Sequence, residues 1–328
     1  MHIGILGAGV TGLVAAIELA GRGARVEIIE RAPDHAQACA WVAGGMLAPW
    51  CEQASAEPQV ATLGAPAVAW WQRHFDGTVQ RGTLVVAATR DAGELALFGR
   101  RTERFEPIDA ERIGALEPEL AGRFRQGLFF PDEAHLDPRR ALPALAAQLT
   151  AAGVAIRYGV DADAARIDAD RIVDCRGLAA RDTLEDLRGV RGEMIVVRSP
   201  DIQLSRPVRL LHPRFGLYVV PRGDGVFMLG GTLLESSSHD PMTVRSAMDV
   251  LNTAYALHPA FAEAEILELG VGVRPAFPDN LPRVLRRGRT VYLNGLYRHG
   301  FLLAPAMAQQ AARLIFPHTT ETPACTSA

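Results

Sequence analysis

His2-Ile3-Gly4-Ile5-Leu6-Gly7-Ala8-Gly9-Val10-Thr11-Gly12 opens the chain, and Arg25-Val26-Glu27-Ile28-Ile29 delivers Glu30 eighteen residues after Gly12. An apolar strand, a glycine turn, a helix and a second strand ending in an acid make up a dinucleotide-binding unit. The three glycines differ in what they allow. Gly7 permits the tight turn, Gly9 lets the backbone approach a pyrophosphate, and Gly12 lets helix and strand pack closely. The free N–H groups and dipole of the helix that starts at Val10 and Thr11 favour an anion. Glu30, followed by Arg31, can accept hydrogen bonds from ribose hydroxyls and would repel a 2′-phosphate. The unit fits NAD and FAD equally.

The chain has 328 residues, 48% of them hydrophobic, and a net charge of −3. That length accommodates two domains. No basic cluster suggests nucleic acid, and no apolar run is long enough to cross a bilayer. The N-terminus passes straight into a core strand, which leads us to expect a cytoplasmic enzyme without a leader. Cys39, Cys51, Cys175 and Cys325 lack metal-ligand spacing and are expected to be reduced thiols, and the nine histidines form no ligand motif. No metal site is expected.

Further along, the pattern predicts a helix over Ala65–Phe75, a strand over Thr83–Ala88 and a largely helical charged stretch from Asp91 to Arg125. Asp137-Pro138 reads as the cap and first position of a helix over Arg139–Ala152. Strands are expected at Val154–Arg157, Arg171–Asp174 and Thr290–Asn294, and a final helix at Ala306–Phe316. Between them come Glu193–Arg198, Val208–His212, Leu217–Val220 and Val226–Leu229, the last two joined by a Pro221–Gly225 turn; a helix over Val244–Tyr255 and the run Ile266–Val273 follow. Strands in succession without helices indicate a mixed or antiparallel sheet. The expectation is therefore an α/β protein, a Rossmann-like nucleotide-binding domain with an inserted α+β substrate domain. The first is assigned 1–76, 135–188 and 270–318, the second 77–134 and 189–269, and 319–328 is expected to be a disordered tail.

Three more clusters bear on the cofactor: Ala43-Gly44-Gly45-Met46-Leu47-Ala48-Pro49, Asp174-Cys175-Arg176-Gly177-Leu178-Ala179, and Arg298-His299-Gly300-Phe301-Leu302-Leu303-Ala304-Pro305. With the N-terminal unit they resemble the D-amino-acid oxidase and glycine oxidase family of FAD enzymes, nearly end to end. The runs Leu187–Glu193, Gly272–Asn280 and Asn294–Gly300 are most similar to glycine oxidases of the thiazole branch of thiamine synthesis. The resemblance implies FAD held along its length, with Gly44, Gly45 and Met46 near the isoalloxazine and Cys175 and Gly177 at a further turn along the cofactor. The start of the last helix, around Gly300 to Leu303, would present N–H groups to the flavin N1–C2 carbonyl region, and His299, Gly300, Phe301 and Leu302 are the residues expected at the cofactor. Sarcosine oxidases hold flavin through a cysteine near the segment following Arg274, and Pro275–Leu285 contains none, which implies non-covalent FAD.

Arg274 matches the family's carboxylate-binding arginine, Tyr218 its carboxylate-binding tyrosine, and Arg298 a second arginine near the flavin. A planar guanidinium binds a carboxylate bidentately. The same residues also have structural readings: an ion-pair partner, a core tyrosine and a carbonyl cap. The implied reaction is loss of the Cα hydrogen of a small amino acid as hydride, with molecular oxygen reduced to hydrogen peroxide and no side chain acting as a strong base. The implied partners are that amino acid and oxygen; the sequence leaves open whether the imine passes to a thiazole-forming enzyme or simply hydrolyses, and whether the chain forms a homo-oligomer. Competing readings are a D-amino-acid or sarcosine oxidase or dehydrogenase of the same family, an NAD-linked dehydrogenase, and a non-catalytic flavin-binding module.

Overall fold

In the computed structural model, which describes residues 1–317, two sheets divide the molecule. The first has six strands in the order Arg283–Arg287, Thr290–Asn294, Arg171–Asp174, His2–Leu6, Arg25–Glu30 and Ala155–Tyr158. All its pairings are parallel except that of the edge strand Arg283–Arg287. Ile3, Ile5 and Ile28 are fully buried, as expected for strands covered on both faces. Helices Val10–Ala20, Pro138–Ala151 and Gly300–Ile315 join them in one apolar core. The second sheet has eight strands and is antiparallel except where Val208–Leu211 pairs with Thr83–Ala87. The long ladder between Arg188–Arg198 and Glu265–Ala276 forms one flank of that sheet. Its own core packs under helix Val244–Leu257.

The expected strands at Arg171–Asp174 and Thr290–Asn294 keep their bounds, and Asp137 caps its helix by accepting from the Arg139 N–H at 2.9 Å. Four expectations change. The Pro221–Gly225 turn shrinks to Asp224-Gly225, both at positive φ (51° and 68°), so Pro221 and Arg222 continue the strand Leu217–Gly223. Such a two-residue turn matches the twist of the flanking strands. The charged stretch 91–125 contains a strand, Glu106–Asp109, at the edge of the large sheet. The strand expected from Glu193 starts at Arg188.

The fourth change is the last helix, which starts at Gly300 rather than Ala306 and carries Pro305 inside. A proline there removes the N–H that would bond the carbonyl of Phe301. The indole N–H of buried Trp71 donates to that carbonyl at 2.8 Å, so the helix continues through the proline. The expected tail, 319–328, lies outside the described residues. Among the described residues no helix is long and apolar enough to cross a membrane, and no cluster of His, Cys, Asp and Glu could hold a metal. Cys39, Cys51 and Cys175 are free thiols, and Cys325 lies outside the described residues.

Candidate active site

One cavity of about 1060 Å³ runs between the two sheets, from Glu30, Arg31 and His35 to Tyr218, Arg274 and Arg298. That is just above the roughly 300–1,000 Å³ of ordinary small-molecule pockets. Every residue expected to bind cofactor or substrate lines it except Gly12. A Cβ at Gly12 would lie 1.9 Å from the Gly7 carbonyl oxygen, so Gly12 is required where the helix crosses the turn and does not face the cavity. A Cβ at Gly9 would meet no protein atom within 4 Å. Its place is open cavity, a cradle for a ligand that must touch the main chain.

The N–H groups of Val10, Thr11 and Gly12 have no acceptor among the described residues, since the first helical bond runs from Leu13 N–H to Gly9 O. The last helix repeats this arrangement. Leu303 N–H bonds His299 O, and the N–H groups of Gly300, Phe301 and Leu302 have no acceptor among the described residues. The two helix starts abut, a Cβ at Gly300 lying 3.5 Å from Val10 Cγ1, so two positive helix ends open into one space. Glu30 accepts from the N–H groups of Ala8 (2.7 Å) and Ala32 (2.8 Å), which fixes its carboxylate with lone pairs to spare. Cys175 and Gly177 follow the strand that ends in buried Asp174, whose carboxylate is bound by Arg176 at 2.7 Å. Gly45 has φ +70°, and a Cβ there would lie 2.2 Å from Leu136 O. Protein packing therefore requires Gly45, while Gly44 and Met46 line the cavity. These features fit FAD: a ribose acceptor, two anion-favouring helix ends and main chain bare of side chains.

The other end is built from side chains. Tyr218 projects from strand Leu217–Gly223, Arg274 from Glu265–Ala276, and Arg298 precedes the last helix. Arg298 Nη2 donates to the Tyr218 hydroxyl at 2.8 Å and lies 2.7 Å from Glu52 Oε2. Glu52 is a residue that the sequence pattern did not single out. It sits on the short helix Pro49–Glu52, is 7% exposed, and also meets Tyr218 (3.3 Å), His299 (3.6 Å) and Arg209 (3.8 Å). Burial alone would raise its carboxyl, but Arg298, His299 and Arg209 outweigh that and bring it to about 2. Burial takes His299 down to about 4, so its ring is neutral near pH 7. Buried Glu133 accepts from the N–H groups of Trp50 (3.0 Å) and Cys51 (2.7 Å) and so holds the helix that presents Glu52. An acid closing the apolar run Met46–Cys51 was the available signal for Glu52.

Arg274 differs from its neighbours. Of the three guanidiniums at this end, Arg298 and Arg209 contact Glu52, whereas Arg274 contacts no carboxylate among the described residues. Its hydrogen bond to protein runs from Nη1 to Thr232 O at 3.2 Å. Gly192 makes room for it, since a Cβ there would lie 2.0 Å from the guanidinium. Burial lowers the Arg274 pKa from the ordinary arginine value. An unneutralised guanidinium facing a cavity favours an anionic ligand.

Comparisons with known proteins point to the same cofactor and fold. The family described as FAD dependent oxidoreductase, DAO, matches residues 2–314. A Rhizobium etli protein named "Putative thiamine biosynthesis oxidoreductase ThiO" is 56% identical over 314 residues, covering 95% of this chain and 96% of that protein. The bifunctional protein ThiO/ThiG of Synechocystis is 28% identical over 337 residues, and the match covers 95% of this chain but 51% of that protein. The crystal structure of glycine oxidase from Geobacillus kaustophilus superposes with a TM-score of 0.80 at 23% identity, covering 98% of this chain and 95% of that one.

Proposed function

The chain belongs to the FAD-dependent oxidoreductase family, and from that premise we propose that it oxidises glycine to its imine, which hydrolyses to glyoxylate, while oxygen is reduced to hydrogen peroxide. The observation that carries this reading is Arg274, a buried guanidinium in the cavity that donates to a single carbonyl among the described residues. A carboxylate is the ligand chemistry that completes it bidentately. Similarity to the Rhizobium etli protein supports a place in thiamine synthesis. The fused relative from Synechocystis supports hand-over of the imine to a thiazole-forming enzyme.

FAD, when bound, supplies the two-electron acceptor. Glu30 and the first helix start would hold its ribose and phosphates, the last helix start its flavin end, all without a covalent link. Arg274 binds the amino acid's carboxylate and thereby fixes Cα. Arg298 orients the Tyr218 hydroxyl, which can turn its proton from Glu52 to that carboxylate. Glu52 cancels charge on Arg298, so the substrate carboxylate is drawn to Arg274. Position and electrostatics are the contribution of these groups. No strong base is required of them: Glu52 is ionised but engaged by cations, and His299, lowered by burial to about 4, is a weak base.

Sarcosine and D-alanine each add one methyl group to glycine, on nitrogen and on Cα, a difference that a hydrophobic pocket resolves by only about 1–3 kcal/mol. A peroxide assay on the FAD-loaded protein with these three amines side by side tests the reading. Glycine is expected to give the highest kcat/KM, and peroxide from none of them would overturn it.

A further inference from the structure

The segment Thr232–Pro241 forms a wall of the cavity through Thr232, Leu233, Ser237 and His239. It is pinned by two residues of strand Arg188–Arg198, Arg191 and Glu193, which are 5% and 1% exposed. All five N–H groups of the Arg191 guanidinium find acceptors. Nε (3.0 Å) and one Nη2 N–H (2.6 Å) reach Glu193 Oε1. The other three reach the carbonyls of Ser238 (3.1 Å), Asp240 (2.6 Å) and Pro241 (3.0 Å). The Arg191 backbone also pairs with Leu234 in both directions, at 2.9 and 3.0 Å. Glu193 holds the start of the segment: its Oε2 accepts from the Thr232 hydroxyl (3.0 Å), and its carbonyl accepts from the Thr232 N–H (3.1 Å). Thr232 in turn offers its own carbonyl to Arg274.

We propose that Arg191 and Glu193 are positioning residues for Arg274. Their ion pair fixes the wall segment, Thr232 carries that fixation to the Arg274 guanidinium, and the carboxylate-binding geometry depends on it. A buried ion pair is a poor device for stability alone, because apolar side chains of similar volume often do as well or better. What it supplies here is direction, since only a guanidinium fork satisfies one carboxylate and three carbonyls at once. The wall is thus a fixed face rather than a moving lid, and Arg274, with one hydrogen bond to the described protein, takes its aim from Thr232.

The inference rests on the reading of Arg274 as the carboxylate ligand, and the test separates the two. Acetate is titrated into FAD-loaded wild type and the variants Glu193→Gln, Arg191→Lys, Thr232→Val and Arg274→Ala, with binding read from the flavin absorbance. Glycine KM, kcat and FAD affinity are measured on the same samples. Glu193→Gln and Arg191→Lys are expected to weaken acetate binding and raise glycine KM by about five-fold or more, with kcat within about two-fold and FAD affinity unchanged. Arg191→Lys keeps the charge, so its behaving like wild type would overturn the role of the fork. Thr232→Val keeps the carbonyl but loses the hydroxyl link; it is expected to show the same shift in smaller degree, and it carries the test if the ion-pair variants do not fold. Acetate affinity and KM within about two-fold of wild type in every folded variant, with Arg274→Ala impaired, would overturn the proposal alone. Wild-type acetate affinity in Arg274→Ala would overturn the reading beneath it.

Discussion

The two ends of the cavity are made of different materials. Around the glycine turn, beside the Glu30 carboxylate, most functional groups belong to the main chain: bare N–H groups of two abutting helix starts and a glycine whose missing side chain leaves the space. At the Arg274 end they are side chains from four separate segments, contributing Glu52, Tyr218, Arg274 and Arg298. A backbone site depends on local conformation and tolerates no added atoms. A side-chain site depends on charge balance, and its members are far apart in sequence.

Two glycine variants break the first end in distinguishable ways and should show the largest effects. Gly12→Ala puts a methyl group 1.9 Å from a backbone oxygen, so the helix must move; the expected outcome is misfolded or colourless protein. Gly9→Ala meets nothing in the protein. Its apoprotein should melt like wild type and bind FAD more weakly, as read by flavin fluorescence titration.

At the second end, Glu52→Gln removes the charge shared by Arg298 and Arg209. Breaking such a pair leaves buried charge uncompensated and is expected to cost about 3–5 kcal/mol of stability, measured by denaturant unfolding at fixed FAD. A smaller effect comes from Glu133, which burial raises to about 7 despite the hydrogen bond from Cys51 N–H. The folded state therefore holds this proton more tightly than the unfolded chain. Its contribution is complete below about 4.5 and falls by about 3 kcal/mol as pH rises to about 7. Glu133→Gln keeps an acceptor for the Trp50 and Cys51 N–H groups, and its unfolding free energy relative to wild type should rise by about that amount over this range, because His299 and His135, both lowered to about 4, act alike on the two proteins. Glu52 acts in the opposite sense and lower down, its stabilisation being lost as pH falls from 4.5 toward about 2. The smallest effect is expected for Tyr218→Phe, which removes one hydroxyl between Arg298 and Glu52. One hydrogen bond of about 0.5–1.5 kcal/mol corresponds to a rise of roughly two- to ten-fold in glycine KM.

This difference in material also explains how far the sequence could be read. The glycine unit and Glu30 could be read because a strand, a turn and a helix encode them within thirty residues, and the strands Arg171–Asp174 and Thr290–Asn294 because buried parallel strands are plain apolar runs. The start of the last helix could not, because Pro305 marks a boundary locally while Trp71, remote in sequence, makes the proline tolerable. Arg274, Tyr218 and Arg298 came from family resemblance. Glu52 was missed because it acquires meaning only beside residues such as Tyr218, 166 positions away. The wall Thr232–Pro241 has no periodicity at all; its shape is imposed by Arg191 and Glu193 on another strand.

The central claim, that Arg274 is the cation awaiting an amino acid's carboxylate, is tested most directly by glycine oxidation in Arg274→Ala, with FAD content measured on the same sample. Losing such a partner in a desolvated site costs about 2–5 kcal/mol, so the variant should remain yellow while its glycine KM rises by about thirty-fold or more. A yellow variant with the KM of the wild type would contradict the account.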